Sequence, residues 1–201
     1  MGNKDLIIGA AYNYNFNQLK PWVESINQYC TNADKVLLVS NISQETIESL
    51  VKRNFKVLPL PQTNLPIHVA RFAGIYEYLR TEGQNYQWVI TTDVKDVYFQ
   101  DNAFDYLEFA SHKSLIAASE SMYYKDEPWG NENLMQTYGP YVHNIFKENE
   151  IYNVGVLAGT GDAMRDLAMN IFVSCSNRPI KICDQSTFNF MISQHPYTDT
   201  S

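Results

Sequence analysis

The sequence has few cysteines, and they are not spaced as metal-binding or disulfide-rich proteins space them. Its three cysteines are Cys30, Cys175 and Cys183, and no CxxC pair occurs. A sparse, odd set of this kind argues against a disulfide framework and against a zinc site, and it favours a reducing compartment. The sequence therefore predicts a cytoplasmic protein.

Long apolar runs and an excess of positive charge are also missing. No run of about 18 apolar residues occurs, so we expect no transmembrane segment. The apolar stretch near the start fits a first buried strand better than a signal peptide. The formal net charge of −7 disfavours nucleic acid and anionic membranes, so we expect no nucleic-acid partner. A phosphate-bearing ligand would need a local cation.

The glycine-rich loops that usually cradle phosphates are absent. The first apolar run continues as GAAYNYNF, which lacks the GxGxxG fingerprint of dinucleotide-binding proteins. No GxxxxGK[ST] segment occurs, so the chain is not a P-loop protein. Without either cradle, a metal ion is the more plausible holder of any phosphate.

The first 120 residues alternate between short apolar runs and segments with helical spacing of apolar residues. A chain of 201 residues is long enough for one domain with a proper core. The predicted strands are 5–12, 35–40, 55–61, 86–93 and 114–120. The predicted helices between them are 17–30, 43–53, 66–80 and 101–112. This alternation predicts an α/β protein, with a mostly parallel central sheet that carries helices on both faces.

The remainder of the chain follows a different pattern. Residues 121–144 are polar, aromatic and rich in turn formers, so we expect a functional loop or excursion there. A further strand is predicted at 151–160, and helices at 161–175 and 183–194. The loop holds several tyrosines and Trp129, which suggests an aromatic platform for an acceptor sugar; packing in the surface is the simpler alternative.

Two aspartates follow the fourth predicted strand, in the stretch VITTDVKDVYFQ. Open parallel sheets bind ligands at the carboxyl ends of their strands, and Asp93 and Asp96 lie at that place. Two carboxylates that converge there would raise each other's pKa, and a divalent cation removes the conflict. The pair thus suggests a metal completed by a diphosphate. The alternative is an ordinary turn, in which Asp96 caps and Asp93 pairs with Lys95 or an arginine.

Three short motifs, in order, resemble the GT-A family of glycosyltransferases. The stretch TTDVKDVYFQDNAF is similar to the acidic metal motif of that family in a DxxD form. Downstream, YNVGVLAGT resembles its N-x-G strand, and CDQSTFN resembles its Asp-Gln helix start. The resemblance covers nearly the whole chain. It implies a single Rossmann-like GT-A catalytic domain over 1–201, with a nucleotide-binding half at 1–120 and an acceptor and sugar half at 121–201.

The resemblance also implies roles for individual residues. Asp93 and Asp96 would hold Mn²⁺ or Mg²⁺ against the diphosphate of a nucleotide-sugar donor, with Asp96 the surer direct ligand. Arg71 would be the cation that meets phosphate or sugar, and a salt-bridging arginine is its alternative. The remaining assignments follow the same motifs: Ala10, Ala11 and Tyr12 along the nucleotide base, Asn153 and Gly155 at the donor sugar, and Asp184 and Gln185 at the sugar hydroxyls or the reacting centre.

The sequence departs from the family pattern near its end. Many GT-A enzymes take a third metal ligand, often a histidine, from beyond the Asp-Gln helix. His195 lies too close behind Gln185 for that role, so we expect either completion of the metal site by water and substrate or a truncated chain.

Three functions remain open from the sequence. The first is a metal-dependent, hexosyltransferase-like enzyme that moves a sugar, with a UDP-sugar the expected donor, to a glycan or other hydroxyl acceptor. The second is another metal-dependent enzyme, a nucleotidyltransferase or a phosphohydrolase. The third is a truncated or non-catalytic domain that binds a nucleotide sugar.

Overall fold

The structure, a computed structural model, describes residues 4–109, 112–195 and 197. The strands are β1 (Lys4–Tyr12), β2 (Asp34–Ser40), β3 (Lys56–Pro59), β4 (Tyr86–Thr92), β5 (Leu115–Tyr123) and β6 (Glu150–Gly159). The helices are α1 (Phe16–Tyr29), α2 (Gln44–Val51), α3 (Ile67–Glu82), α4 (Ala103–Phe109), α5 (Pro128–Phe146), α6 (Gly161–Ser176) and α7 (Asp184–Ile192). Of the helix predicted at 101–112, residues 110 and 111 lie outside the described residues.

The described strands form one sheet in the order β3-β2-β1-β4-β6-β5. Strands β3, β2, β1 and β4 pair in parallel, whereas β6 runs antiparallel to both of its neighbours, β4 and β5. The predicted mostly parallel sheet is therefore confirmed. Its one reversed strand places the start of β6 at the carboxyl end of β4.

Side chains on the two faces of the sheet pack into two separate apolar layers. Leu6 and Ile8 of β1 join the layer covered by α3, α6 and α7. Ile7, between them, joins the layer covered by α1, α2 and α4. Neighbouring side chains of a strand point to opposite faces of the sheet. A strand that is apolar on both faces must therefore be covered by other elements on both faces. The α/β architecture with helices on both faces is thus confirmed.

The segment 121–144 is not the loop that its composition predicts. Strand β5 continues to Tyr123, a short 3₁₀ turn follows at Tyr124–Asp126, and α5 runs from Pro128 to Phe146. The helix is kinked at Gly139, whose φ of +79° is a conformation that glycine adopts readily. A small apolar cluster holds this helix: Tyr124, Leu134, Phe146 and Ile151. The turn-forming residues Gly139 and Pro140 interrupt the helical spacing of apolar residues, so the sequence pattern does not predict this helix.

Among the described residues, none of the helices combines the length and the apolar character that spanning a membrane would require.

Candidate active site

The predicted site residues lie around the carboxyl end of β4. That strand ends at Thr92, and Asp93 follows it directly. The backbone N–H of Asp93 donates to the carbonyl oxygen of Gly155, at 2.7 Å. Because β6 runs antiparallel to β4, this bond brings the N-x-G segment of β6 beside the first aspartate. The fold therefore joins two motifs that are about 60 residues apart in the chain.

Arg71 of α3 bridges two carboxylates in this region. One guanidinium nitrogen pairs with Asp93, and the other donates to Asp184 Oδ2 at 3.0 Å. The second nitrogen also reaches the carbonyl oxygen of Val154 at 3.5 Å. The side chains of Arg71 and Asp184 are 10% and 6% exposed, whereas that of Asp93 is 45% exposed. Arg71 thus ties α3 to β4, β6 and α7, and leaves Asp93 as the member that solvent or a ligand can reach.

This contact corresponds to the salt-bridging alternative that the sequence left open for Arg71. Burial of an ion pair is costly unless each charge keeps good partners. Here Arg71 has two carboxylate partners, although its Nε atom has none among the described residues. A direct role for Arg71 at phosphate or sugar stays a prediction.

A second group of polar side chains lies next to this ion-pair cluster. We call Glu120, Asn153 and Gln185 the amide cluster. Glu120 Oε1 accepts from Asn153 Nδ2 at 3.0 Å and from Gln185 Nε2 at 3.2 Å. The amide oxygens of Asn153 and Gln185 accept from the backbone N–H groups of Gly155 and Val154, at 2.7 and 3.4 Å. Strands β5 and β6 and the start of α7 are therefore joined at one point.

The side chain of Asp93 occupies the space that a Cβ atom at Gly155 would fill. A Cβ atom at this position would lie 2.6 Å from Asp93 Oδ2 and 2.9 Å from Asn153 Oδ1. Both distances are too short for real atoms, so any side chain at 155 would displace the aspartate or the asparagine. The glycine of the N-x-G motif therefore permits the close approach of the two site segments.

The second aspartate of the acidic pair is placed differently from the first. Asp96 is exposed and forms no hydrogen bond or ion pair with any residue that the structure describes. Within residues 4–109, 112–195 and 197, no group of three or more His, Cys, Asp or Glu side chains is arranged as a metal site. A metal held by Asp93 and Asp96 would therefore depend on substrate oxygens and water for its other ligands.

The end of β1 contributes to a cleft of about 640 Å³. Tyr12 is 47% exposed and borders this cleft, opposite residues 60–67 and Ser40. Ala10 is half-buried against the layer that contains α3, whereas Ala11 is fully buried in the layer that contains α1. Of the three residues predicted along the nucleotide base, Tyr12 alone borders the cleft.

The aromatic residues of 121–144 do not form one platform. Tyr124 is fully buried, and burial raises the pKa of its hydroxyl well above the usual range. The ring of Tyr138 packs on Phe190 with centroids 4.6 Å apart. These two belong to the apolar packing around α5, so the prediction that the tyrosines of this segment form a platform is wrong for Tyr124 and Tyr138. Trp129 is 54% exposed, and its role in acceptor binding stays a prediction.

Comparison with solved structures gives a clear likeness of fold. The chain is similar to the apo structure of WbbM, a bifunctional glycosyltransferase, with a TM-score of 0.67 over 94% of this chain. The chain has the fold of a glycosyltransferase. At 12% sequence identity the likeness concerns fold alone, and this chain spans 37% of the length of that protein. No protein-family model matches the sequence, and no curated protein shows significant sequence similarity to it.

Glu120 is the residue of this region that the sequence did not single out. Glu120 lies at the end of the fifth predicted strand. Asp93 was a candidate site residue because it lies at the end of the fourth predicted strand. The same rule, applied to the fifth predicted strand, would have found Glu120. Its partners on β6 and α7 come from positions 33 and 65 residues away, which no local pattern indicates.

Proposed function

We propose that the protein is a metal-dependent glycosyltransferase. It moves a sugar from a nucleotide-diphosphate donor, most simply a UDP-sugar, to a hydroxyl group of a glycan or another acceptor. The observation that carries the proposal is the bridge that Arg71 makes between Asp93 and Asp184. This bridge joins the acidic motif after β4 to the Asp-Gln start of α7, within a glycosyltransferase fold.

The charge of the site supports the need for a metal. Asp93, Asp184 and Glu120 carry three negative charges against the single positive charge of Arg71. A diphosphate that enters a region of net negative charge is repelled unless a cation compensates it. The overall charge of −7 adds to this repulsion. A bound divalent cation would neutralise the two excess negative charges of these four residues.

Asp93 and Asp96 have the chemistry that Mn²⁺ or Mg²⁺ requires. Carboxylate oxygens are the ligands these cations prefer, and Mg²⁺ often takes only one or two of them, with phosphate and water for the rest. Asp93 is partly accessible, Gly155 leaves space for its Oδ2 atom, and Asp96 is exposed. When bound, such an ion acts as a Lewis acid that stabilises the charge of the leaving diphosphate.

The cleft beside Tyr12 would take the nucleotide. Its volume of about 640 Å³ lies within the usual range for ligand pockets, roughly 300–1,000 Å³. Tyr12 offers an exposed ring that can stack on a base, and Gln62, Thr63 and Asn64 line the opposite wall with polar groups. Ala70, one residue before Arg71, also borders the cleft, so the nucleotide would lie near the ion-pair cluster.

The environment of Asp184 favours a positioning role over the contact with sugar or reacting centre that the resemblance implies. A general base must be able to reach the proton that it removes. Asp184 is buried and paired with Arg71, so we assign it the task of holding Arg71 and the start of α7. Gln185, which is half-buried, would present its amide to the donor sugar.

Titration of UDP with and without Mn²⁺ tests the proposal. We expect UDP to bind in the presence of Mn²⁺, with slow hydrolysis of a UDP-sugar donor. Asp96→Asn should abolish the metal-dependent part of the binding, and Asp126→Asn, which changes an exposed aspartate without a hydrogen-bond partner among the described residues, should not. Metal-independent binding, or an absence of binding to any nucleoside diphosphate, would refute the proposal.

A second candidate is a domain that binds a nucleotide sugar without transferring it. The observation in its favour is that the described residues offer no third protein ligand grouped with the acidic pair. Tight, Mn²⁺-dependent binding of UDP and of UDP-sugars with no release of free sugar would favour this candidate. A metal-dependent nucleotidyltransferase or phosphohydrolase would instead release a different product, such as UMP, from the same donor.

A further inference from the structure

We propose that Glu120 is the positioning residue of the donor-sugar pocket, and that it acts by orienting the side-chain amides of Asn153 and Gln185. The inference rests on the proposed function for the identity of the ligand. It concerns a residue that neither the motifs nor the comparisons indicate.

Glu120 accepts hydrogen bonds from two side-chain amides with the same oxygen atom. Its Oε1 atom accepts one hydrogen bond from Asn153 Nδ2, at 3.0 Å, and one from Gln185 Nε2, at 3.2 Å. A hydrogen bond to an ionised acceptor is stronger than one between neutral groups. One oxygen of Glu120 therefore holds two amides that come from different elements, β6 and α7.

The orientation of both amides is determined by their other hydrogen-bond partners. Asn153 Oδ1 accepts from the N–H of Gly155, and Gln185 Oε1 accepts from the N–H of Val154. A backbone N–H can only donate, so each amide must turn its oxygen towards β6 and its NH₂ group towards Glu120. Rotation of either amide by 180° would set N–H against N–H and a carbonyl oxygen against a carboxylate.

The amide cluster leaves several hydrogen-bonding groups available to a ligand. Each NH₂ group has a second N–H, and Glu120 has a second oxygen, Oε2; within the described part of the chain none of these has a hydrogen-bond partner. Glu120, Asn153 and Gln185 are each half-buried, so these groups border the site and are not sealed in the core. Fixed N–H donors suit the hydroxyl groups of a sugar, which both donate and accept.

The amide cluster and the cleft beside Tyr12 are formed by different elements, apart from their common neighbour α3. The amide cluster contacts β6 beside Asp93 through Gly155, and Gln185 follows Asp184. The cleft beside Tyr12 is lined by residues of β1, β2, α3 and the segment before α3. Loss of Glu120 should therefore impair recognition of the sugar and leave recognition of the nucleotide intact.

The test compares Glu120→Ala with the isosteric Glu120→Gln, and Glu150→Ala serves as the control. Glutamine keeps an oxygen that can accept from both amides, whereas alanine removes it. Glu150 pairs with Ser119, the neighbour of Glu120 on β5, so its removal deletes a nearby carboxylate outside the amide cluster. In each variant, the Kd values for UDP and for UDP-glucose, UDP-galactose and UDP-N-acetylglucosamine are measured with Mn²⁺.

We expect Glu120→Ala to weaken binding of the best of these UDP-sugars about tenfold and that of UDP less than twofold, which corresponds to the loss of about one oriented hydrogen bond. Glu120→Gln should stay within about threefold of the wild type for both ligands, and Glu150→Ala should match the wild type. Equal losses for UDP and UDP-sugar in Glu120→Ala would overturn the proposal. So would a Glu120→Gln variant as impaired as Glu120→Ala, because the charge and not the orientation would then matter.

A second measurement needs no nucleotide and separates this inference from the proposed function. Side-chain NH₂ signals of Asn153 and Gln185 report their hydrogen bonds in the free protein. Glu120→Ala should speed their hydrogen exchange at least about tenfold, and Glu120→Gln should preserve slow exchange. Unchanged exchange in Glu120→Ala would overturn the positioning role even if UDP binds. Failure of UDP to bind, with the exchange result as expected, would overturn the proposed function alone.

Discussion

Arg71 and Asp184 form a buried ion pair of 3.0 Å, although 113 residues separate them in the chain. The pair joins the second turn of α3 to the first residue of α7. Because Arg71 also pairs with Asp93, a change at this one position affects a core contact and the candidate ligand site together.

We expect Arg71→Met to destabilise the protein by about 3 kcal/mol, because it leaves the carboxylate of Asp184 buried without a partner. Urea unfolding at pH 7 measures the effect. The double variant Arg71→Met/Asp184→Asn should recover at least half of the loss, since no uncompensated buried charge remains. Arg80→Ala, on the exposed face of the same helix, should change stability by less than about 0.5 kcal/mol. Equal effects of Arg71→Met and Arg80→Ala would contradict the importance of the buried pair.

The two aspartates of the acidic pair should separate stability from metal-dependent binding. Asp96→Asn should leave the melting temperature of the free protein unchanged, because Asp96 is exposed and has no partner among the described residues. It should nevertheless remove the rise in melting temperature that Mn²⁺ and UDP produce together. Asp93→Asn should lower the melting temperature of the free protein and also reduce its rise with Mn²⁺ and UDP, since this change weakens the contact with Arg71 as well. Thermal shift assays with and without Mn²⁺ provide the measurement, and a normal response in Asp96→Asn would argue against a metal ligand there.

Gly155→Ala should impair ligand binding more than stability. The added methyl group would meet Asp93 Oδ2 at 2.6 Å, and this atom is the free end of a partly exposed side chain that can move. We therefore expect a loss of stability of only about 1 kcal/mol, with at least a tenfold weaker affinity for UDP and Mn²⁺. Gly83→Ala, where the nearest atom is 3.4 Å away, is the matched control. A variant Gly155→Ala that binds normally would show that the position of Asp93 is not important for the site.

Asp5, on β1, provides a pH-dependent prediction away from the site. Burial raises the pKa of its carboxyl above the ordinary value of 3.8; the backbone N–H of Trp88 opposes this shift and nearby Glu108 adds to it. The native state thus binds the proton of Asp5 more tightly than the unfolded state does. Above the native pKa the ionised carboxylate therefore lowers the stability of the fold. Once the pH falls below 3.8, the group is protonated in both states and has no effect on stability.

Asp5→Asn should therefore stabilise the protein at pH 7 by a few tenths of a kcal/mol, a small amount because the group is partly exposed and screened. The gain should shrink as the pH falls and vanish near pH 3, by urea unfolding at both values. A gain that is the same at pH 7 and pH 3 would show that ionisation is not its cause.

Much of the fold could be predicted because its strands carry apolar side chains on both faces and its helices carry them on one. The direction of β6 could not, since an apolar run such as IYNVGVLAGT has the same pattern in a parallel and an antiparallel strand. The helix α5 was missed for a related reason. Gly139 and Pro140 interrupt its periodicity, and tertiary packing of Tyr124 and Phe146 stabilises it instead.

For the site, the sequence supplied candidate residues and the fold supplied their contacts. The resemblance placed Asp93, Asn153 and Asp184 in one site, and the structure joins them through Arg71 and the N-x-G segment. That Arg71 contacts both carboxylates depends on the packing of α3 against the sheet, which its sequence does not encode locally. Glu120 also lies at the end of a predicted strand, but its contacts with β6 and α7 could not be predicted, because these partners are distant in the chain.

The reversed direction of β6 also determines where the segment that carries α5 leaves the sheet and returns to it. Strand β5 ends and β6 begins side by side, with Tyr123 opposite Glu150, and backbone bonds from Tyr124 to Asn149 and from Lys125 to Lys147 close the segment between them. The segment between these bonds contains α5, and its two ends are fixed beside the sheet. The sheet alone sets the spacing of Asp93 and Asn153, so a change in the length of this segment would reach the site through α7, whose Ser186 donates to Asn133 of α5.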